Sequence, residues 1–287
     1  MDEFGVSLEQ FVFNKINQIA GLEENLMQQL TSVVGFIHKK DIYSLNLNVF
    51  NVRVVFKNGR LLIKLLNFHN AQSLNGNKIR FSRTPGMLSD IYDLGCIFFF
   101  VLSKRHNLKE ETTNLGSNMI VCILQSFENS NKTWKNVLCI DMIKRMMKPN
   151  ENARPNINEI KSHPYFWEVD KIAKMIINVS KMFEDNNGSN QDFKMKLERT
   201  KKQVIGGNWK SKIDNEILEE ICKHRMYDGQ KLYQLVQAIR NILVHQTSPV
   251  IADNMGTTIE DILEYWLKKF PKLVVHLWQV AKDHNLL

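Results

Sequence analysis

The strongest constraint in these 287 residues is the stretch from Tyr227 to His245. Asp228-Gly229 is a turn dipeptide, and Leu232, Leu235, Val236, Ile239 and Leu243 then recur at i, i+3, i+4, i+7 and i+11. Such a stripe requires a helix with one side against a core. At about 100° per residue, Asn241 and His245 fall roughly opposite the stripe and Arg240 on its flank. A guanidinium, an amide and an imidazole therefore crowd the polar side, and the phenol of Tyr227, on the preceding turn, can fold back toward it. Imidazole exchanges protons near neutrality, and a guanidinium stays charged and forks onto phosphate. The set suits acid/base work on a phosphodiester. Solvated residues on an ordinary amphipathic helix would give the same pattern.

The rest of the chain is long enough for two domains, each with its own core. Net charge is +8, which favours an anionic partner such as RNA and is also common in proteins that bind none. The excess is spread: Lys+Arg against Asp+Glu is 20 against 14 in residues 1–167 and 18 against 16 beyond. Cys96, Cys122, Cys139 and Cys222 have no C-x-x-C spacing, so they read as reduced thiols rather than zinc ligands or a disulfide framework. The opening Met1-Asp2-Glu3-Phe4 lacks the basic start of a secretory signal, and the apolar run Cys96 to Leu102 is short for a membrane span. A cytoplasmic location without membrane contact is the expectation.

Along the chain, residues 8–18 and 22–38 carry helical periodicity, followed by two apolar strands, Val52 to Phe56 and Leu61 to Leu65, joined by the hairpin signal Asn58-Gly59. Ser89 reads as the cap of a long apolar helix that begins at Asp90. From Glu168 onward everything reads as helical: one helix to about Phe183, a polar break over Asn186 to Asn190, and a lysine-rich helix to Gln203. Its Lys194, Lys196, Lys201 and Lys202 could meet RNA phosphates, yet a plain solvated face explains them as well or better. Pro249 ends the central helix, Thr257-Thr258 caps another to Lys269, and Pro271 starts the last. Trp266, Phe270, Leu273, Leu277 and Trp278 read as core.

The tyrosine, the Arg-Asn pair thirteen residues on and the His four residues after that Asn resemble the centre of the kinase-extension nuclease domain of ribonuclease L and the inositol-requiring enzyme. Leu197-Glu198-Arg199 and Trp209 upstream, and Lys269 to Val274 with His276 downstream, extend the likeness. It implies a mainly α fold: a truncated, protein-kinase-like C-lobe with a small β-hairpin over residues 1–167, then an all-α nuclease domain over 168–287.

Against the kinase catalytic loop, Ser44 to Asn51 retains the Leu and the last Asn, and the metal-binding D-F-G becomes Asn67-Phe68-His69. Asn46 and Asn67 thus stand where phosphoryl transfer needs carboxylates. The chain opens about where a kinase hinge ends, so the glycine-rich loop and strand lysine fall outside it. No kinase activity, no nucleotide and no other cofactor are expected. Asp90 would be the lobe's structural aspartate, holding the catalytic-loop backbone, and Asn70 to Leu88 stands in the place of the activation loop. Arg154-Pro155 and His163 to Trp167 resemble the lobe's last helix and its exit.

For mechanism the resemblance implies metal-independent RNA cleavage, with 2′,3′-cyclic phosphate and 5′-hydroxyl ends; no Asp/Glu cluster suggests a two-metal site. His245 would be the general acid and Tyr227 would deprotonate or orient the 2′-hydroxyl. Arg240 would hold the phosphate and lower the phenol's pKa from its ordinary value of about 10, with Asn241 fixing the geometry. The active form would be a homodimer, or a heterodimer with a longer relative. The alternative is a catalytically silent partner of such a relative.

Overall fold

The structure, a computed structural model, describes residues 5–15, 21–43, 45–58, 60–68, 71–73, 85–104, 117–130, 133–183, 188–223, 225–245 and 248–284. The chain divides into two compact units, residues 1–130 with 139–166 and residues 131–138 with 167–287.

In the first unit, β1 (Val6–Ser7) leads into α1 (Leu8–Lys15) and α2 (Leu22–His38), whose buried stripe runs through Leu26, Leu30 and Val34. A short β2 (Ile42–Tyr43) precedes the hairpin of β3 (Val52–Lys57) and β4 (Arg60–Leu65). The sheet order is β1-β3-β4, all antiparallel, with Val54 opposite Ile63 on the buried face. The hairpin stands where Asn58-Gly59 predicts it. Asn58 is left-handed (φ 51), a conformation its short polar side chain tolerates; Gly59 lies outside the described residues. Beyond β5 (Gln72–Ser73), which pairs with β2, come α3 (Pro85–Ser103), α4 (Ser117–Ser130), α5 (Trp134–Met146), whose residues 134–138 fall in the second unit, and α6 (Ile157–Lys161).

Two expectations need correction here. Helix α3 begins at Pro85, so Ser89 is inside it rather than its cap, and the end of the segment assigned to the activation loop is helical. Proline suits a first helical turn, where its missing N–H has no partner to lose. The remainder of that segment, residues 74–84, lies outside the described residues. Helix α3 is also long and apolar enough over Gly86–Ser103 to cross a membrane by length and composition; Leu94 and Phe98 to Val101 are buried in this unit's core.

Asp90 is 1% exposed, and its Oδ1 accepts from the backbone N–H of Leu45 at 2.7 Å while Oδ2 lies 3.0 Å from His38 Nε2. It holds the loop as the resemblance implies. Within that loop Asn51 Nδ2 donates to the Asn46 carbonyl (3.2 Å), and Asn67 Nδ2 donates to Asn51 Oδ1 (2.8 Å). Asn46 and Asn67 are both left-handed (φ 47 and 63). The Asn51 side chain thus links the Asn67 amide to the backbone of Asn46. Arg154 is buried and donates to the carbonyls of Lys148 (2.8 Å) and Leu88 (3.0 Å), ahead of the Asn156–Glu159 capping box of α6.

The second unit is helical: α7 (Val169–Lys181), α8 (Gly188–Arg199), α9 (Lys202–Ile205), α10 (Asn215–Cys222), α11 (Leu232–His245), α12 (Pro249–Met255), α13 (Ile259–Lys269) and α14 (Leu273–Asp283). Helix α11 packs on α7, α8 and α13. The five side chains expected as core, Trp266, Phe270, Leu273, Leu277 and Trp278, are all buried. The lysine-rich stretch is two helices rather than one, parted at Thr200-Lys201, where the Thr200 hydroxyl lies 3.4 Å from His276 Nδ1. Pro249 opens α12 after Ser248 instead of merely ending α11, which fits proline's preference for the first helical position. Pro271 precedes the Lys272 N-cap of α14, so it lies just outside the helix it was expected to begin. Thr258 caps α13, in a capping box with Asp261.

Asp90→Ala removes the acceptor of a buried backbone N–H and the partner of His38. It is expected to destabilise the first unit by about 2–4 kcal/mol, read from the urea midpoint; a loss below about 0.5 kcal/mol, the range of an ordinary surface substitution, would show that the loop does not depend on it.

Candidate active site

The site is built on the turn ahead of α11. Trp209, fully buried, donates its indole Nε1 to the Asp228 carbonyl (3.2 Å) and its backbone N–H to the Gly229 carbonyl (2.9 Å), and its ring meets Tyr227 edge-on at 6.2 Å. Asp228 Oδ1 accepts from Gln230 N–H (2.8 Å), and Gln234 Oε1 accepts from Asp228 N–H, so the turn is tied to the first turn of the helix. Gly229 does not have positive φ. Its requirement is close approach, since an added Cβ would lie 1.7 Å from Asn208 Oδ1.

This clamp turns the phenol onto α11. Asn241 Nδ2 donates to Tyr227 Oη at 2.7 Å, and Arg240 Nη1 donates to Asn241 Oδ1 at 2.9 Å. The direction of this relay follows from chemistry. A guanidinium only donates, so the amide must present its oxygen to Arg240 and its nitrogen to Tyr227. The phenol oxygen thus accepts, and its own O–H remains to donate to something else. Burial pushes the Tyr227 pKa up, outweighing the opposing Asn241 hydrogen bond and the Arg225 and Arg240 charges. The expected lowering by Arg240 is present but does not win. The phenol stays protonated at neutral pH and suits hydrogen-bond donation better than proton abstraction.

Tyr227, Asn241 and His245 line one open cleft of about 420 Å³, together with Arg225 and Glu220. His245 is exposed and Asn241 half-buried. The structure therefore brings three of the four expected residues to one surface. The fourth, Arg240, is half-buried and touches the set through Asn241. The five stripe residues are buried as expected, but the buried face is broader and includes Gln237, Ala238 and Ile242. Arg225 and Gln237 were not legible as site residues. Arg225 Nη2 donates to Gln237 Oε1 (2.9 Å), and its Cζ lies 5.4 Å from the Tyr227 ring centroid. The only sequence signals are a cation two residues before the tyrosine and a polar residue beside the apolar stripe.

The all-α unit thus presents a cation–amide–phenol relay and an imidazole at one cleft. Residues 172–286 match the family model described as Ribonuclease 2-5A. Relatives include the sensor for unfolded proteins in the ER, ire1, of Schizosaccharomyces pombe, 30% identical over 209 residues, covering 70% of this chain and 19% of that protein. The serine/threonine-protein kinase/endoribonuclease IRE1a of Arabidopsis thaliana is 26% identical over 202 residues, 68% of this chain and 23% of that one. The corresponding IRE2 of Homo sapiens is 23% identical over 307 residues, 96% of this chain and 33% of that one. The similarity to the ribonuclease model is confined to residues 172–286, and the chain spans roughly a fifth to a third of the length of these relatives.

Two outcomes are expected of the clamp and relay. Gly229→Ala should cost about 1–3 kcal/mol of stability through overpacking against Asn208, visible as a lowered thermal midpoint; an unchanged midpoint would mean the turn adapts freely. In a phenolate absorbance titration, the signal lost in Tyr227→Phe should ionise above free tyrosine, and Asn241→Ala should move it higher still. The raised pKa contributes stability below the unfolded tyrosine pKa, and that contribution is lost as pH rises through the folded value. A Tyr227 that ionises below free tyrosine would contradict the burial.

Proposed function

We propose that this chain is an endoribonuclease that cuts RNA loops without metal or cofactor. The ribose 2′-oxygen bonds to the adjacent phosphorus as the P–O5′ bond breaks, which leaves a 2′,3′-cyclic phosphate and a 5′-hydroxyl. His245 gives a proton to the departing 5′-oxygen, and the 2′-hydroxyl proton passes to water. Tyr227, held protonated, orients the 2′-hydroxyl or a phosphate oxygen with its O–H, while Asn241 and Arg240 fix the phenol. The observation that carries this reading is the convergence of the Tyr227–Asn241 pair and His245 on one open cleft. The match of residues 172–286 to a ribonuclease family and the printed endoribonuclease names of the relatives support it.

Kinase activity is not part of the proposal. Asn46 and Asn67 lack the charge that orients a substrate hydroxyl and holds magnesium; the Asn67 amide is engaged with Asn51, which donates in turn to the backbone carbonyl of Asn46. The active species is proposed to be a pair of nuclease modules, from two copies of this chain or from this chain and a longer relative.

Pure protein is expected to cleave a stem-loop RNA in EDTA and leave cyclic-phosphate ends, with His245→Ala slower by about 10²-fold or more, the usual scale for a general acid. The rate per chain should rise with protein concentration if copies pair. Equal cleavage by parent and variant, or none by either at any concentration, would overturn the reading.

A further inference from the structure

We propose that Arg225, rather than Arg240, grips the RNA phosphate in this cleft, and that Arg240 is a positioning residue acting on the phenol through Asn241. The proposal rests on the ribonuclease reading above and divides between two arginines a task the sequence gives to one.

Arg225 lies on the cleft wall with Tyr227, Asn241 and His245, and its side chain is exposed. A guanidinium carries five N–H donors, and Gln237 Oε1 takes one of Arg225's, at 2.9 Å. Among the described residues no other hydrogen bond engages this exposed side chain. Its Cζ stands 5.4 Å from the Tyr227 ring centroid, so an anion beside the phenol O–H is within reach of the guanidinium as well. The anchor is rigid: Gln237 is 5% exposed and sits within α11. A buried amide is costly unless hydrogen-bonded, and this one holds an otherwise mobile arginine at the cleft.

Arg240 is arranged differently. It is half-buried, and its Nη1 is given to Asn241 Oδ1 at 2.9 Å. That bond sets the amide so that its N–H meets the Tyr227 oxygen. Of the two cations, Arg225 also acts more strongly on the Tyr227 phenol. The cleft thus has a binding guanidinium and, behind the amide, an orienting one.

The test separates binding from turnover. A stem-loop RNA methylated at the 2′-oxygens cannot be cut by this route, and its affinity can be followed by fluorescence anisotropy over a range of salt. Arg225→Ala should weaken it about tenfold and reduce the slope of log affinity against log salt by about 0.7, one single-strand phosphate contact. Arg225→Lys should restore the slope but not all of the affinity, because lysine is a point charge without the fork. Arg240→Ala should leave affinity and slope within twofold while kcat on unmodified RNA falls by about 10²-fold or more, and it should move the Tyr227 phenolate titration upward. Gln237→Leu should weaken affinity with the slope retained. Circular dichroism of each variant separates these effects from unfolding.

A flattened slope in Arg240→Ala with an unchanged one in Arg225→Ala would reverse the assignment, and two unchanged slopes would remove it. If the slopes fall as expected but parent protein and His245→Ala cut unmodified RNA equally, the phosphate assignment stands and the catalytic reading fails. A parent that does not bind the RNA would sink both.

Discussion

The site depends on one hydrogen bond, from Asn241 Nδ2 to the oxygen of Tyr227. Everything on its far side follows from the fact that an arginine can only donate: Arg240 claims the amide oxygen, the amide nitrogen must then turn to the phenol, and the phenol is left with a proton to give. In the low dielectric around a buried ring such a chain polarises in one direction, so the phenol O–H becomes a better donor while burial opposes its ionisation. In the proposed reaction Tyr227 therefore orients rather than deprotonates. The proton for the leaving group must come from elsewhere, and the exposed imidazole of His245 on the same cleft is the proposed source.

That bond needs a tyrosine held still. Trp209 supplies both an edge-on ring and two hydrogen bonds to the turn backbone, and Gly229 is small because Asn208 occupies the space a side chain would need. The first unit uses the same device at a different place. There Asp90 clamps the loop at Leu45, and the Asn67 amide donates to that of Asn51, which donates in turn to the backbone carbonyl of Asn46.

Much of this was legible in the sequence because periodicity and spacing report local geometry. The stripe of α11, the β3–β4 hairpin, the Thr258 cap and the Trp266–Trp278 core all follow from patterns within about a dozen residues. Helix ends were harder. Pro85 and Pro249 begin helices where Ser89 and a simple stop were read, since proline is welcome in a first turn and unwelcome only later. Within the site, helical spacing put Asn241 and His245 on one side of α11 and the resemblance joined Tyr227 to them, but the partners of Arg240 and Arg225 were not legible. Which arginine faces the cleft is decided by side-chain direction and by Gln237, a buried polar residue whose purpose appears only when Arg225 is seen against it.

The most direct measurement is a double-mutant cycle on the rate of RNA cleavage, using Asn241→Ala and Tyr227→Phe singly and together. The relay makes the amide useful only through the phenol, so the double variant should be no slower than the slower single, with a coupling of about 1–3 kcal/mol. Losses that add to within about 0.5 kcal/mol would mean that the two side chains act separately, and the relay would not be what organises this site.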